Sequence, residues 1–373
     1  MSKPRIAFIS TMHGAPWGGS ENLWGKTALR LLEEGQAEVF AKVNWHPDNS
    51  PHLDNLAKAG AEIERIPPRR FPIRVMRSAL RMNPEPFLKR VRPDLVIISQ
   101  GAHFDGAAPM IECSDRNLRY APVCHCYAEG FVFADTHTEP LRRGYEEALM
   151  TYWVSKANLR DTRRLIAAPL EHAKIVRSPH AVSYDSAPVW PQVRDGVYRL
   201  ACVARLETTI KGFDVLFDVL RQPKWKERPL ELNIYGHGPN EISLHRLKEM
   251  YGLDKVNFAG VTSNVEKIWE QNHGLILTSR WEGLPAVVLE TMLCGRICIV
   301  TDVGGNAELM TDNETGFVAS APKTELVDEA LERAWNRRAE WHEMGQKAAI
   351  QIREELPPDP VGVFRDEILS LIK

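Results

Sequence analysis

Two glutamates eight residues apart, Glu282 and Glu290, bracket the run Glu282-Gly283-Leu284-Pro285-Ala286-Val287-Val288-Leu289-Glu290. The apolar stretch Gly274–Thr278 before it reads as a strand, and a helix is expected to begin near Pro285, since proline suits the first helical turn. A strand, a turn and a helix start expose backbone N–H groups where an anion or a hydroxyl can dock. Upstream, Arg205 and Lys211 stand six residues apart in Val203–Asp214, and Gly212 is placed to open a helix. Arginine offers a two-pronged donor and lysine a point charge, a combination that grips a diphosphate. Downstream, Asp302-Val303-Gly304-Gly305-Asn306-Ala307-Glu308 follows the apolar run Ile297–Thr301, and its glycine pair permits close backbone approach to a ligand. A lone pair of glutamates or cations would read as solvated surface charge; the density of these features argues for a polar ligand site.

The elements that must position these residues alternate. Ile6–Ile9, Glu38–Val43, Leu95–Ile98, Tyr120–Cys126 and Thr151–Val154 read as strands, and Glu21–Glu34 has apolar residues at helical spacing. The second half repeats the style. Its strands are Tyr198–Val203, Leu230–Tyr235, Lys255–Phe258, Gly274–Thr278 and Ile297–Thr301; its helices are Phe213–Leu220, Ser243–Tyr251, Val265–Gln271, Ala286–Leu293 and Glu325–Arg338. Such alternation predicts parallel sheets with right-handed crossovers. A length of 373 residues suits two domains. Prolines 179, 188 and 191 interrupt the periodicity in Ser178–Arg194, which sets the expected domains at 1–185 and 186–355. The expected fold class is therefore α/β, two Rossmann-like domains facing across a cleft, with ligands at the carboxyl ends of the strands.

The net charge of -2, with 44% hydrophobic and 26% charged residues, describes a globular chain without a nucleic-acid-like field. The apolar run Ile6–Ile9 is too short for a signal core, and no stretch reaches the ~18 apolar residues of a span, so a cytoplasmic location is expected. Six cysteines are scattered or lie in apolar segments; Cys124-His125-Cys126 lacks the second half of a zinc site, and no metal is expected. Arg65–Arg92 holds nine bases against Glu85 alone. Within it Arg70, Arg74, Arg77 and Arg81 would share one helix face and could rest on an anionic membrane at its inner face, or grip an anionic acceptor. The stretch has too few aromatics for single-stranded nucleic acid.

The order Arg205…Lys211-Gly212, Tyr235-Gly236-His237-Gly238-Pro239, Phe258-Ala259-Gly260, Glu282…Glu290 and Asp302-Val303-Gly304-Gly305…Glu308 resembles glycosyltransferase family 4, the retaining enzymes of GT-B fold. The resemblance covers residues 198–320; the first half matches more loosely, through Trp17-Gly18-Gly19-Ser20-Glu21 and His125. It implies transfer of a sugar from a nucleoside diphosphate sugar to an acceptor hydroxyl with retention, in polysaccharide, glycolipid or glycoconjugate biosynthesis. Arg205 and Lys211 would hold the diphosphate, Glu290 the ribose hydroxyls, and Glu282, Gly283 and Leu284 the donor sugar. Gly18 and Gly19 would lie against phosphate or acceptor, and His125 would face the sugar. The implied catalytic set is His125, Glu282, Arg205 and Lys211. No cofactor is implied; the donor is a UDP- or GDP-sugar, UDP being commoner in the family, and the acceptor a saccharide, a lipid-linked or a small molecule. The chain carries no Asp-x-Asp, so metal independence is expected. It departs from the pattern at Ala204, where the family often has glycine, and at Pro179-His180-Ala181-Val182 in the linker, which leaves the base pocket open. The segment Phe364–Leu371 would be the helix that returns to the first domain.

Two other functions share parts of this pattern. A GT-B nucleotide-sugar epimerase would want a different carboxylate set from Glu282 and Glu290, and the intact set Glu282, Glu290, Arg205, Lys211 and His125 argues against a non-catalytic donor-binding protein. A dinucleotide oxidoreductase would carry Gly-x-Gly-x-x-Gly after the first strand, where this chain has Thr11–Gly19.

Overall fold

A computed structural model describes residues 2–13, 16–66, 84–130 and 134–372. Among these the chain divides into two units, residues 1–179 with 359–373, and residues 180–358. The boundaries expected from the sequence are at 185 and 355.

The first unit holds β1 (Arg5–Ser10), β2 (Glu38–Asn44), β3 (Glu62–Ile66), β4 (Leu95–Gln100), β5 (Tyr120–Cys124), β6 (Thr151–Trp153) and β7 (Ala173–Ile175). They form one parallel sheet in the order β3-β2-β1-β4-β5-β6-β7. Register places Phe8 beside both Ala41 and Ile97. Because both faces are covered, β1 and β4 read as unbroken apolar runs, Ile6–Ile9 and Leu95–Ile98, with no exposed surface. Alternate residues feed opposite faces: Ile6, Phe8 and Ile97 join one core, Ala7, Ile9 and Ile98 the other. Onto the first of these cores pack the helices Gly19–Glu33 and Pro360–Ser370. The latter lays Phe364 edge-on against Tyr152 at 5.2 Å and pairs Arg365 with Glu34 at 2.5 Å.

The second unit holds β8 (Tyr198–Val203), β9 (Leu230–Tyr235), β10 (Val256–Gly260), β11 (Gly274–Leu277), β12 (Ile297–Thr301) and β13 (Gly316–Ala319), parallel in the order β10-β9-β8-β11-β12-β13. In each sheet the strand order reverses once, between β1 and β4 and between β8 and β11. At such a reversal the two flanking connections leave in opposite directions and open a crevice at the carboxyl ends.

The stretch that the sequence marks as a linker is held against the second unit's body. Arg296, 1% exposed, donates to the carbonyls of Pro188 and Val189 as well as those of Trp269, Asn272 and Cys294. Arg353 does the same for Tyr184 and Ser186. Prolines make this segment irregular, and two arginines supply the partners its carbonyls need.

Several elements go beyond the sequence reading. The helix Asp135–Glu146 has a proline inside it and only Leu141, Gly144 and Tyr145 buried, so its apolar signal is faint. The helix Trp341–Glu355 buries Trp341, Met344, Ala348 and Ile352, a helical spacing that the sequence does carry. Of the basic stretch, Arg70, Arg74, Arg77 and Arg81 lie outside the described residues. Among its described members, Arg65 pairs with Asp54, Lys89 with Glu85, and Arg90 with Glu62 and Glu64. No helix of the described residues is long and apolar enough to cross a membrane.

Candidate active site

Two loops of the second unit leave the carboxyl ends of β8 and β11 at the strand reversal and carry the predicted donor residues, and a third leaves the neighbouring β12. After β8 the chain runs through Arg205 into a single helical turn, Thr208–Lys211, and then into the helix Phe213–Leu220. Gly212 joins the two with φ +65°, and a Cβ there would lie 2.0 Å from the Thr278 carbonyl oxygen. Only glycine permits that crossing. The β11 loop continues to Glu282, and the helix Ala286–Leu293 follows, with Pro285 as its N-cap residue. From β12 the Gly304-Gly305 loop backs onto the same place. A Cβ on Gly304 (φ +55°) would sit 2.2 Å from the Glu282 carbonyl oxygen, and the Gly305 N–H donates to the Gly283 carbonyl at 2.6 Å. Close backbone contact thus fixes the loops before any side chain is considered.

The side chains then meet. Lys211 Nζ donates to Glu282 Oε1 at 2.6 Å, and Ser279 Oγ donates to the same oxygen at 2.7 Å. Glu282 is 7% exposed, so this ammonium and hydroxyl answer a carboxylate largely removed from water. Arg205 is the freer cation: its side chain is half exposed and lies 3.3 Å from Glu207. The Tyr235–Pro239 loop braces the Arg205 segment, for a Cβ on Gly236 (φ +140°) would come within 2.0 Å of the Ala204 carbonyl oxygen. Leu206 N–H donates to the His237 carbonyl, while the His237 side chain is exposed. Glu290 is buried in the helix Ala286–Leu293, and its Oε1 accepts from the Ala181 N–H at 2.8 Å. Gly283 is buried and Leu284 half-buried on the turn between the two glutamates.

In the first unit the predicted residues lie after β1 and β5. Gly18 caps the helix Gly19–Glu33 and Gly19 is its first residue. A Cβ on Gly18 would lie 3.1 Å from Met12 Sδ, whereas one on Gly19 would meet nothing within 4 Å. His125 follows β5; burial lowers its pKa to about 4, so the imidazole is neutral near pH 7. Among the described residues its Nε2 is buried with no hydrogen-bond partner. Cys124 Sγ contacts the Cys126 carbonyl oxygen, and the six cysteines are free thiols. Among the described residues no group of three or more His, Cys, Asp or Glu is arranged to hold a metal ion.

Sequence reasoning missed two carboxyl groups at the β1/β4 reversal. Glu21, 3% exposed, accepts from Ser10 Oγ at 2.5 Å, from Ser20 and from Trp24, and burial raises its pKa despite those bonds. Asp105 accepts from Thr11 Oγ1 at 2.6 Å and from the Ala102 N–H at 2.9 Å, and burial pushes its pKa up to about 7. It also missed Arg280, which forms a two-pronged pair with Asp214. Glu21 and Asp214 stand within the motifs named above, but nothing local marks either as buried or paired.

Comparison with known proteins matches this geometry to a fold and to a family model. The crystal structure of HepE from Anabaena in complex with UDP superposes with a TM-score of 0.75 at 15% identity, covering 98% of this chain and 99% of that one. N-acetyl-alpha-D-glucosaminyl L-malate synthase of Bacillus anthracis is 29% identical over 134 residues, 35% of this chain and 35% of that protein. Alpha-D-kanosaminyltransferase of Streptomyces kanamyceticus is 29% identical over 126 residues, 33% of this chain and 33% of that protein. The chain thus spans about a third of the length of these curated relatives. Its two parallel-sheet units have the GT-B fold, and residues 191–351 of the second match the family model described as Glycosyl transferases group 1.

Proposed function

We propose that this protein is a retaining glycosyltransferase of the family 4 kind, moving a sugar from a nucleoside diphosphate sugar to an acceptor hydroxyl in polysaccharide, glycolipid or glycoconjugate biosynthesis. The observation that carries the reading is the Lys211–Glu282 pair, 2.6 Å long, beside Arg205 at the β8/β11 reversal. A departing nucleoside diphosphate concentrates negative charge, and preorganised cations stabilise that charge in the transition state without further reorganisation. Lys211 and Arg205 fill this role, Glu282 with Gly283 and Leu284 orients the donor sugar, and Glu290 accepts from the ribose hydroxyls. Gly18, Gly19 and His125 are the first unit's contacts to the substrates, with His125 acting as a neutral hydrogen-bonding group.

UDP is the favoured carrier. It agrees with the UDP bound by HepE and with the commoner donor of the resembled family. Two cations and no Asp-x-Asp support transfer without a divalent metal. The acceptor is a saccharide, a lipid-linked or a small molecule, and anionic membrane contact through Arg70, Arg74, Arg77 and Arg81 rests on sequence charge alone. A vesicle sedimentation assay in which the protein ignores anionic lipid removes that last element.

A thermal-shift panel of UDP-, GDP- and ADP-sugars tests the donor, since a ligand bound to the native state raises its stability by mass action. The expected result is a shift with UDP-sugars; no shift with any nucleotide sugar overturns the reading. NMR of the product anomer and an assay with chelator test retention and metal independence. An inverted product, or activity lost to chelator and restored by magnesium or manganese, refutes the respective point.

A further inference from the structure

We infer that Arg280 is a positioning residue that holds Lys211 and Glu282 in register by clasping Asp214 and the Thr208 carbonyl across two loops. The inference rests on the reading above, that Lys211 and Glu282 serve the donor. Arg280 Nη1 donates to Asp214 Oδ1 at 2.8 Å and to the Thr208 carbonyl at 3.0 Å, while Nη2 donates to Asp214 Oδ2 at 2.8 Å. Thr208 starts the turn that ends in Lys211, Asp214 lies in the first turn of the next helix, and Arg280 precedes Glu282 by two residues. One guanidinium therefore spans both sides of Lys211 from the loop that carries its partner.

Backbone contacts reinforce the clasp. The Arg280 N–H donates to the Ile210 carbonyl at 2.7 Å, and Thr278 Oγ1 donates to the Gly212 carbonyl at 2.8 Å. Lys211 is thus flanked by Thr208, Ile210, Gly212 and Asp214, all tied to residues 278–280. A lysine at 280 could not serve three acceptors in a plane; the rigid fork of arginine can. The pair is also electrically closed. Burial pushes the Asp214 carboxyl up, but the Arg280 guanidinium, together with the Asp214 and Val215 N–H groups, offsets this and holds it below its usual range. With both Nη atoms engaged and its charge answered by Asp214, Arg280 differs from the half-exposed Arg205 and is not presented as a phosphate ligand.

The test is a double-mutant cycle of Arg280→Met and Lys211→Met on the full chain, with donor-dependent kcat and KM, and a crystal structure of Arg280→Met. A misplacement of about 1 Å costs roughly a hundredfold in rate, so Arg280→Met should lower kcat by about that factor. In the Lys211→Met background the same change should cost little more, because its effect passes through Lys211. Arg280→Lys should recover part of the loss, and the crystal structure should show Lys211 Nζ displaced from Glu282. Losses that multiply in the double mutant, or a Lys211–Glu282 pair unmoved in the crystal, overturn the inference. If Arg280→Met does not fold, Asp214→Asn carries the same cycle and structure. A wild type that turns over no nucleotide sugar defeats the donor reading, and the crystallographic distance still decides the clasp.

Discussion

Lys211 and Glu282 meet through one 2.6 Å hydrogen bond although 71 residues separate them in the chain, and the carboxylate is the more deeply buried of the two. Removing the cation therefore leaves a buried acid with the Ser279 hydroxyl but no counter-charge, whereas removing Arg205 affects only a part-exposed Glu207. Lys211→Ala should cost about 1–3 kcal/mol of unfolding free energy, the usual cost of an unsatisfied buried polar group, together with a hundredfold or greater loss of turnover. Arg205→Ala should lose turnover with little change in stability, because exposed pairs contribute about 0–1 kcal/mol. Urea denaturation alongside steady-state kinetics separates the two, and equal stability losses would contradict the assignment.

Glu290 is the one charged residue of the helix Ala286–Leu293 and is buried there. It accepts from the Ala181 N–H at 2.8 Å, and in the proposed complex it also accepts from the ribose hydroxyls of the donor. Glu290→Ala should weaken UDP binding by about 1–3 kcal/mol in calorimetry, with Glu290→Gln intermediate. Unchanged affinity in both variants would remove the ribose role.

Much of this arrangement is legible in the sequence, for a physical reason. Strands buried on both faces are continuous apolar runs, so the polar residue just past each run, Ser10, Arg205 or Ser279, marks a carboxyl edge. Sheet order is not legible in that way. That β8 lies beside β11 is set by which helices cover which face, and the Lys211–Glu282 and Arg280–Asp214 pairs depend on that adjacency. Glu21 and Asp105 escape sequence reasoning for a related cause: a charged residue at a helix start or in a loop looks solvated until the neighbouring strands bury it. The two Gly-Gly motifs show the converse limit, since similar dipeptides have different structural reasons to exist.

Those reasons separate experimentally. Gly212 and Gly304 are required by contact with backbone oxygens at positive φ, while Gly19 faces open space at the first position of a helix. Gly212→Ala should destabilise the protein by at least about 1–3 kcal/mol through backbone strain and should lower turnover by displacing Lys211. Gly19→Ala should leave stability within about 0.5 kcal/mol or raise it, as alanine is the better helix former. Its effect, a fall in kcat/KM, should appear only in catalysis if a substrate approaches that backbone. A Gly19→Ala variant with unaltered kinetics would show that the open space is not used.

The last prediction concerns pH. Asp105 has a folded pKa of about 7 against an ordinary value of 3.8, because burial beside Glu21 outweighs the hydrogen bonds from Thr11 and Ala102. The folded state therefore holds this proton where the unfolded chain has released it. Stability rises with pH only where the unfolded state binds more protons, so here the sign is negative. The Asp105 contribution is most favourable below the unfolded pKa, declines as pH rises from about 4 to about 7, and is constant above. Asparagine keeps the shape and the acceptor for Thr11 but cannot ionise. The stability difference between Asp105→Asn and wild type should therefore shift toward the variant across that window and level off beyond it. His103 and His125, both lowered to about 4 by burial, act with the opposite sign, losing stability as pH falls from about 6.5 to 4; they are common to both proteins and cancel in the comparison. Urea unfolding of the pair at half-unit steps from about pH 4 to about pH 8 gives the curve directly. A difference that stays flat would mean that Asp105 ionises as it does in water and that the β1/β4 crevice is wetter than its packing indicates, and one that moves toward wild type as pH rises would mean that the folded state favours the ionised form; either outcome contradicts the prediction.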